Sequence, residues 1–298
     1  MRPFLLALAA LLLGLIMPQA ALAAGNIYYV DAVSGADTNS GRTENQAWKT
    51  LARVNAQTFQ PGDKIFLKAG CEFPGSLVLR DSGTAENPIC LGRYGEGKNP
   101  HIAGNTGTGR DGIAILMQDT AYWELSSLEI TNPNGRMGIW VNKNKPGVAS
   151  HLYFRDLEIH NVRGQQPAIE NRDFGGMLFN NSPSAEGRFD DILISGCKIY
   201  DIKVIGIQMQ ARSAEASYRA TNTRIERTDI YDCGQDGVIW RNANGAVIEY
   251  CRAYRTGLDK LRATAVSYTH LDVYKRQAYT GCRQLCGCVG RPLGVYLY

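Results

Sequence analysis

The chain has 298 residues, with 32 Lys and Arg against 28 Asp and Glu, and a formal net charge of +4. That excess comes from the ends: setting aside residues 1–23 and those beyond 263 removes Arg2, Lys275, Arg276, Arg283 and Arg291 but only Asp272. The near-neutral remainder gives no argument for a nucleic-acid or membrane partner, and none is expected; its length suits one elongated domain, expected to be a monomer.

Residues 1–23 read as an export signal. Arg2 supplies the positive start, residues 4–16 the apolar run, and Ala21-Leu22-Ala23 a small-x-small cleavage site. The apolar run is too short to span a membrane, so a secreted or periplasmic protein is expected. A strand at Asn26-Ile-Tyr-Tyr-Val30 should be followed by a short helix over residues 47–55, with Trp48, Leu51 and Val54 on one face, and by a strand over Lys64–Lys68. Together these would cap one end of the domain. Asp31, Asp37 and Asn39 have the composition of a calcium loop but equally that of turn residues ordering the cap, the reading favoured here. Residues 75–79, 89–91 and 100–102 then form a first, less regular coil.

From Asp111 to Gly257 the chain repeats. Five lines open with Gly or its equivalent and an apolar-x-apolar triplet: Gly112-Ile-Ala-Ile115, Gly138-Ile-Trp-Val141, Gly176-Met-Leu-Phe179, Gly206-Ile-Gln-Met209 and Gly237-Val-Ile-Trp240. Each closes with a second run beginning at Leu128, Leu157, Cys197, Thr228 or Cys251. Three residues earlier stands an apolar side chain: Leu125, Phe154, Ile194, Ile225 or Ile248. The glycines are 26, 38, 30 and 31 residues apart, so loops vary while strands hold register. Asn132, Asn161, Asp201 and Asp232 end the closing runs, where a left-handed turn residue is expected. Alternation with period two and about three short strands per line predict a solenoid whose lines stack one apolar side into a common core. The expected ladders are Ile113, Ile139, Met177, Ile207 and Val238, and Leu128, Leu157, Cys197, Thr228 and Cys251.

These lines resemble the right-handed parallel β-helix of the pectin-lyase-like superfamily, over roughly residues 26–257. The resemblance implies an all-β, single-stranded solenoid with a short N-terminal capping helix, and an exported polysaccharide lyase or glycoside hydrolase. The domain is placed at residues 24–262. Residues 263–298 lose the register, and residues 266–277 resemble a peptide that recurs at the ends of metagenomic reading frames; this tail is read as non-native, leaving the solenoid cut short at its C-terminus. Cys282, Cys286 and Cys288 lack a fourth ligand and the spacing of a zinc module. Cys197, Cys233 and Cys251 are expected as core thiols, and Cys71 with Cys90 is the one pair weighed for a disulfide.

Residues 143–150, 181–188 and 211–222 follow the opening strands and residues 162–175 precede one, so insertions should wall the face that the opening strands form. Its outward residues are Trp140, Asn142, Leu178, Asn180, Gln208, Gln210, Ile239 and Arg241. Amides for hydroxyls, Arg for a carboxylate and an indole face for a pyranose suit a glycan chain, with Trp140, Asn142, Asn180, Gln208, Gln210 and Arg241 as substrate-binding candidates. At the turns into these strands stand Arg136, then Glu170, Arg172 and Asp173, then Lys203, then Asp236. Asp173, Lys203 and Asp236 are the catalytic candidates. In a lyase a Lys or Arg takes the proton beside a uronate carboxylate. In a hydrolase two carboxylates act as acid and base, and Asp173 and Asp236, two lines apart, would be separated by roughly 9 to 10 Å, the upper end of the inverting range. The favoured assignment is an acidic pair with Lys203 as electrostatic partner. The run Gln235-Asp236-Gly237-Val-Ile239 is similar to the Asp-Asp-Gly-x-Asp calcium region of one pectate lyase family, but only Asp236 matches. Two acidic ligands are missing, and no metal or other cofactor is assigned. The adjacent Asp pair of polygalacturonases is absent. His160, Tyr200, Tyr231 and Tyr254 form an outward row on the closing strands, as a sugar-stacking strip or as sheet-stabilising neighbours. The alternative to an enzyme is a non-catalytic β-helix that binds glycans or serves as a surface scaffold.

Overall fold

The computed structural model describes residues 25–104, 112–164, 174–181, 186–211, 216–241 and 243–258, with the strands Leu271–Val273, Gln277–Tyr279 and Val295–Leu297. The export signal lies outside the described residues. The chain winds as a right-handed parallel β-helix of three sheets. The opening sheet stacks Leu77–Leu79, Ile113–Gln118, Met137–Lys143, Gly175–Asn181, Ile205–Ala211 and Val238–Arg241. The middle sheet runs from Ile27–Val30 through Lys64–Lys68, Ile89–Tyr94, Trp123–Ser126, Gly147–Arg155, Gly187–Ser195 and Ala220–Glu226 to Ala246–Glu249. The closing sheet runs from Glu72–Pro74 and His101–Ala103 through Glu129–Asn132, Glu158–Val162, Lys198–Ile202 and Asp229–Cys233 to Cys251–Thr256.

The stacking follows the repeat. Leu125, Phe154, Ile194, Ile225 and Ile248 pair line to line and are buried. Leu128, Leu157, Cys197, Thr228 and Cys251 are buried at the matching position before or at the head of each closing strand. Ile139, Met177, Ile207 and Val238 form the opening ladder. Its first member is Ile115, not Ile113: Met137 pairs with Ile113 and Ile139 with Ile115. The first line is therefore offset by two residues, Ala114 takes the glycine place, and Ile113 lies outside against Met137 and Leu178. A shift of two preserves the pleat, so the unbroken run Ile113-Ala-Ile-Leu-Met117 contains no signal against it.

Asn161, Asp201 and Asp232 have φ of 50°, 54° and 53°, as the turn reading requires. Asn132 differs. It pairs with Val162 across a register shift, is fully buried, and donates through Nδ2 to the carbonyls of Gly112 and Met137. The helix is also shorter than expected, Leu51–Asn55. Thr50 caps it, accepting from the Arg53 N–H, so residues 47–49 stay extended and Trp48 bridges to Val30 instead. Trp48, Leu51 and Val54 are buried as expected.

Asp31 and Asp37 order the cap. Asp31 accepts from the N–H groups of Val33 and Ser34 and from Lys68 Nζ at 2.6 Å. Asp37 accepts from the N–H groups of Lys49 and Thr50 and from the Thr50 hydroxyl. Burial pushes the Asp31 carboxyl up, but the Lys68 ammonium and these N–H donors outweigh it and hold it below the usual range. A carboxyl lowered on folding contributes stability above its unfolded pKa, and that contribution is lost as pH falls through the folded value. Melting temperatures of the protein and of Asp31→Asn should therefore differ by at least about 2 °C near pH 6, the size of a 1 kcal/mol loss. The difference should narrow as the pH falls below about 4, the ordinary aspartate value, toward about 2. Curves that stay parallel over that range would remove Asp31 from the acid sensitivity.

The thiols behave as core residues. Cys197, Cys233 and Cys251 are buried, and burial pushes Cys197 up to about 12 and Cys251 up to about 11, which leaves them unreactive. Cys71 and Cys90 are both free thiols in this structure. Beyond Leu258, Leu271–Val273 and Gln277–Tyr279 pair antiparallel with the last closing and middle strands, and Val295–Leu297 pairs parallel with Val238–Arg241. Two antiparallel pairings interrupt the parallel repeat that precedes them.

Candidate functional site

The opening sheet turns one row of side chains out of the core: Leu116, Trp140, Leu178, Gln208 and Ile239, in register line to line. A second row places Gln118, Asn142, Asn180, Gln210 and Arg241 side by side by backbone register. These are the floor residues expected from the repeat, extended by Leu116 and Gln118, which the two-residue offset of the first line had hidden. The floor is not an open face. Leu178 is 0% exposed, Gln208 1% and Ile239 2%. Two small apolar clusters account for much of this: Ile239 packs with Phe174, Val204 and Ile205, and Leu178 with Ile113, Met137, Leu116 and Trp140.

The amide row is partly engaged with itself. Asn142 Nδ2 donates to Gln118 Oε1 at 3.1 Å, and Asn180 Nδ2 donates to Asn142 Oδ1 at 3.4 Å. Gln118 Nε2 in turn donates to Asp119, whose carboxylate also takes the N–H groups of Asn144 and Lys145. Asn142 and Asn180 thus stabilise the stack as well as facing outward. Gln208 is different: among the described residues neither Nε2 nor Oε1 has a hydrogen-bond partner. The same holds for Trp140 Nε1 and for Gln235 Nε2, one residue before Asp236. Partnerless buried polar atoms are uncommon, and these lie on one face and its adjoining turn. Gln235 was missed in the sequence because the calcium comparison treated its place only as a lost acid.

Arg136, on the turn into Met137–Lys143, is 4% exposed and lays its guanidinium 4.3 Å from the centre of the Trp140 ring, with the Phe174 ring at 6.0 Å. One indole face is therefore taken. Lys203 is exposed on the turn between Lys198–Ile202 and Ile205–Ala211, and its N–H is held by the carbonyl of Val162. Gly234 and Gln235 stack on that turn through the carbonyls of Ile202 and Val204, and the Asp236 carbonyl accepts from the Gly206 N–H at 3.0 Å. Asp236 is half-buried. The turns bearing Lys203 and Asp236 are thus neighbours, with no ion pair between the two side chains among the described residues. Asp173 lies outside the described residues.

On the closing sheet His160, Tyr200, Tyr231 and Tyr254 are in register and stack ring on ring, with centroids 4.9, 4.8 and 4.9 Å apart and planes within 3°, 2° and 7°. His160 also contacts Glu129, and the Tyr200 hydroxyl donates to Glu158. Because each inner ring already faces a ring on both sides, a sugar would meet only edges. This row holds the sheet together rather than presenting a stacking platform.

A search of the solved structures pairs this architecture with GH136 lacto-N-biosidase from Eubacterium ramulus at a TM-score of 0.70 and 26% identity, over 78% of this chain and 46% of that one. The lacto-N-biosidase of Bifidobacterium longum subsp. longum is 27% identical over 76% of this chain and 19% of its own length. The chain is similar to lacto-N-biosidases. It spans less than half of either relative. A pectate lyase of known structure matches with a TM-score of 0.58 at 18% identity, a likeness of fold. No protein-family profile matches the chain.

Proposed function

We propose that this is an exported glycan-degrading enzyme, a glycoside hydrolase that holds its substrate against the opening sheet. The likeness to lacto-N-biosidases over three-quarters of the chain is the observation that carries the reading. The outward row of amides, Trp140 and partnerless polar atoms supports it independently. In this reading Asp236 is one of two carboxylates that protonate the leaving oxygen and activate water, with Asp173 as its expected partner and Lys203 as an electrostatic neighbour. Trp140, Asn142, Asn180, Gln208, Gln210 and Arg241 line the glycan site. Residues 1–23 direct export.

The test is incubation with an aryl lacto-N-bioside and, separately, with uronic-acid polymers. Release of the aryl group, or new reducing ends without ultraviolet absorbance, supports hydrolysis. An unsaturated, absorbing product would instead make the protein a lyase. Binding without turnover on either substrate would make it a glycan-binding scaffold.

A further inference from the structure

We infer that Gln208 selects the sugar, by reading a pair of adjacent hydroxyls on a ring bound over the opening sheet; this rests on the glycan-binding reading above. The starting point is a contrast within one sheet. Gln118, Asn142 and Asn180 satisfy one another line by line. Gln208 stands in the next row over, is 1% exposed, and has both amide atoms without a partner among the described residues. Its neighbours in that row are Leu178 and Ile239, each belonging to a separate apolar cluster. Leu178 and Ile239 show what this row accepts when only packing matters. An amide there leaves a donor and an acceptor dry, which buried polar groups ordinarily avoid. Retaining such a group is explained by a ligand that satisfies both atoms at once.

The chemistry of that ligand follows from the amide. Oε1 only accepts and Nε2 only donates, and they sit side by side on one planar group. Two adjacent sugar hydroxyls match this pattern, one donating to Oε1 and the other accepting from Nε2. A carboxylate does not match, since it would bring negative charge against Oε1 with nothing to donate. The edge read by Gln208 is therefore a pair of hydroxyls and not a carboxylate. Trp140 Nε1, two lines away on the same row and also without a partner, provides a second donor along the same bound glycan.

The test is Gln208→Met, which keeps the length of the side chain and removes both polar atoms. The melting temperature should stay level or rise, because an unsatisfied amide is gone. For an accepted glycan kcat/KM should fall about 10- to 100-fold, the worth of one or two lost hydrogen bonds. The preference for that glycan over its monodeoxy analogues should shrink toward one. A lower melting temperature with the preference intact would show that Gln208 serves only the fold, and would overturn the inference. If the protein turns over no glycan, the activity reading fails separately, and the inference is decided by melting shifts with free lacto-N-biose and with digalacturonate. A shift given by either disaccharide, and lost in Gln208→Met, supports it. Equal shifts in both proteins, or none in either, would overturn it.

Discussion

Asp236→Asn should lower turnover by about 10³-fold, within the range for removing a general acid or base, while the melting temperature stays within about 2 °C of the parent. The substitution keeps the shape of the side chain. The backbone at 236 is fixed by its neighbours, since its carbonyl accepts from the Gly206 N–H. An Asn in this turn can still bond locally. Lys203→Met is the companion measurement. Lys203 is exposed, and a lysine acting only through its charge beside the site should be worth about tenfold or less. If turnover instead survives Asp236→Asn and is lost in Lys203→Met, the lysine is the base and the chemistry is elimination. If both variants remain active, the candidate constellation is wrong and only the glycan-facing row remains.

How far the sequence anticipated the molecule can be read from particular positions. The ladders through Phe154 and Leu157 were legible because each apolar place recurs in every line and a one-residue slip would turn the whole strand over. The left-handed residues at 161, 201 and 232 were legible for the same reason, with Asn and Asp as the visible mark. Register failed at Ile113, where consecutive apolar residues hide a slip of two. It failed again at Asn132, where a buried amide bonding to two carbonyls has the same letter as a turn asparagine. At the candidate site the outward direction of Trp140, Gln208 and Ile239 followed from alternation alone. The burial of Ile239 did not, because it depends on packing with Phe174, Val204 and Ile205, and nothing in the local pattern encodes that contact. Nor does sequence distinguish the paired amide of Asn142 from the partnerless one of Gln208. That difference comes from which line each residue occupies and what stands beside it.

Gly206→Val should abolish soluble folded protein, or lower the melting temperature by 10 °C or more, as expected for a loss of at least about 3 kcal/mol. The glycine is not needed for an unusual φ. It is needed because the opening strand begins where the coil bends sharply inward. A Cβ at this position would lie 2.5 Å from the Gly237 carbonyl oxygen, 2.7 Å from Ile230 Cγ2 and 3.2 Å from Cys233 Sγ. Gly176 meets the same crowding one line earlier, 2.6 Å from the Gly206 carbonyl oxygen and 2.8 Å from Ile199 Cγ2. Gly138 meets it one line before that, 2.6 Å from the Gly176 carbonyl oxygen. The glycine that opens each repeat is therefore a clearance set by the next coil, and its nearest obstacle is backbone, which cannot swing aside as a flexible side chain can. The first line shows the limit of tolerance, with Ala114 in the same place beside Gly138, so that one methyl is accommodated there. Gly206→Ala should accordingly be destabilised less than Gly206→Val but more than a surface substitution. Thermal unfolding of the two variants beside the parent measures the order. Equal melting temperatures for all three would mean that the coils can part at this corner, and the stacking that fixes the candidate site would be looser than the packing implies.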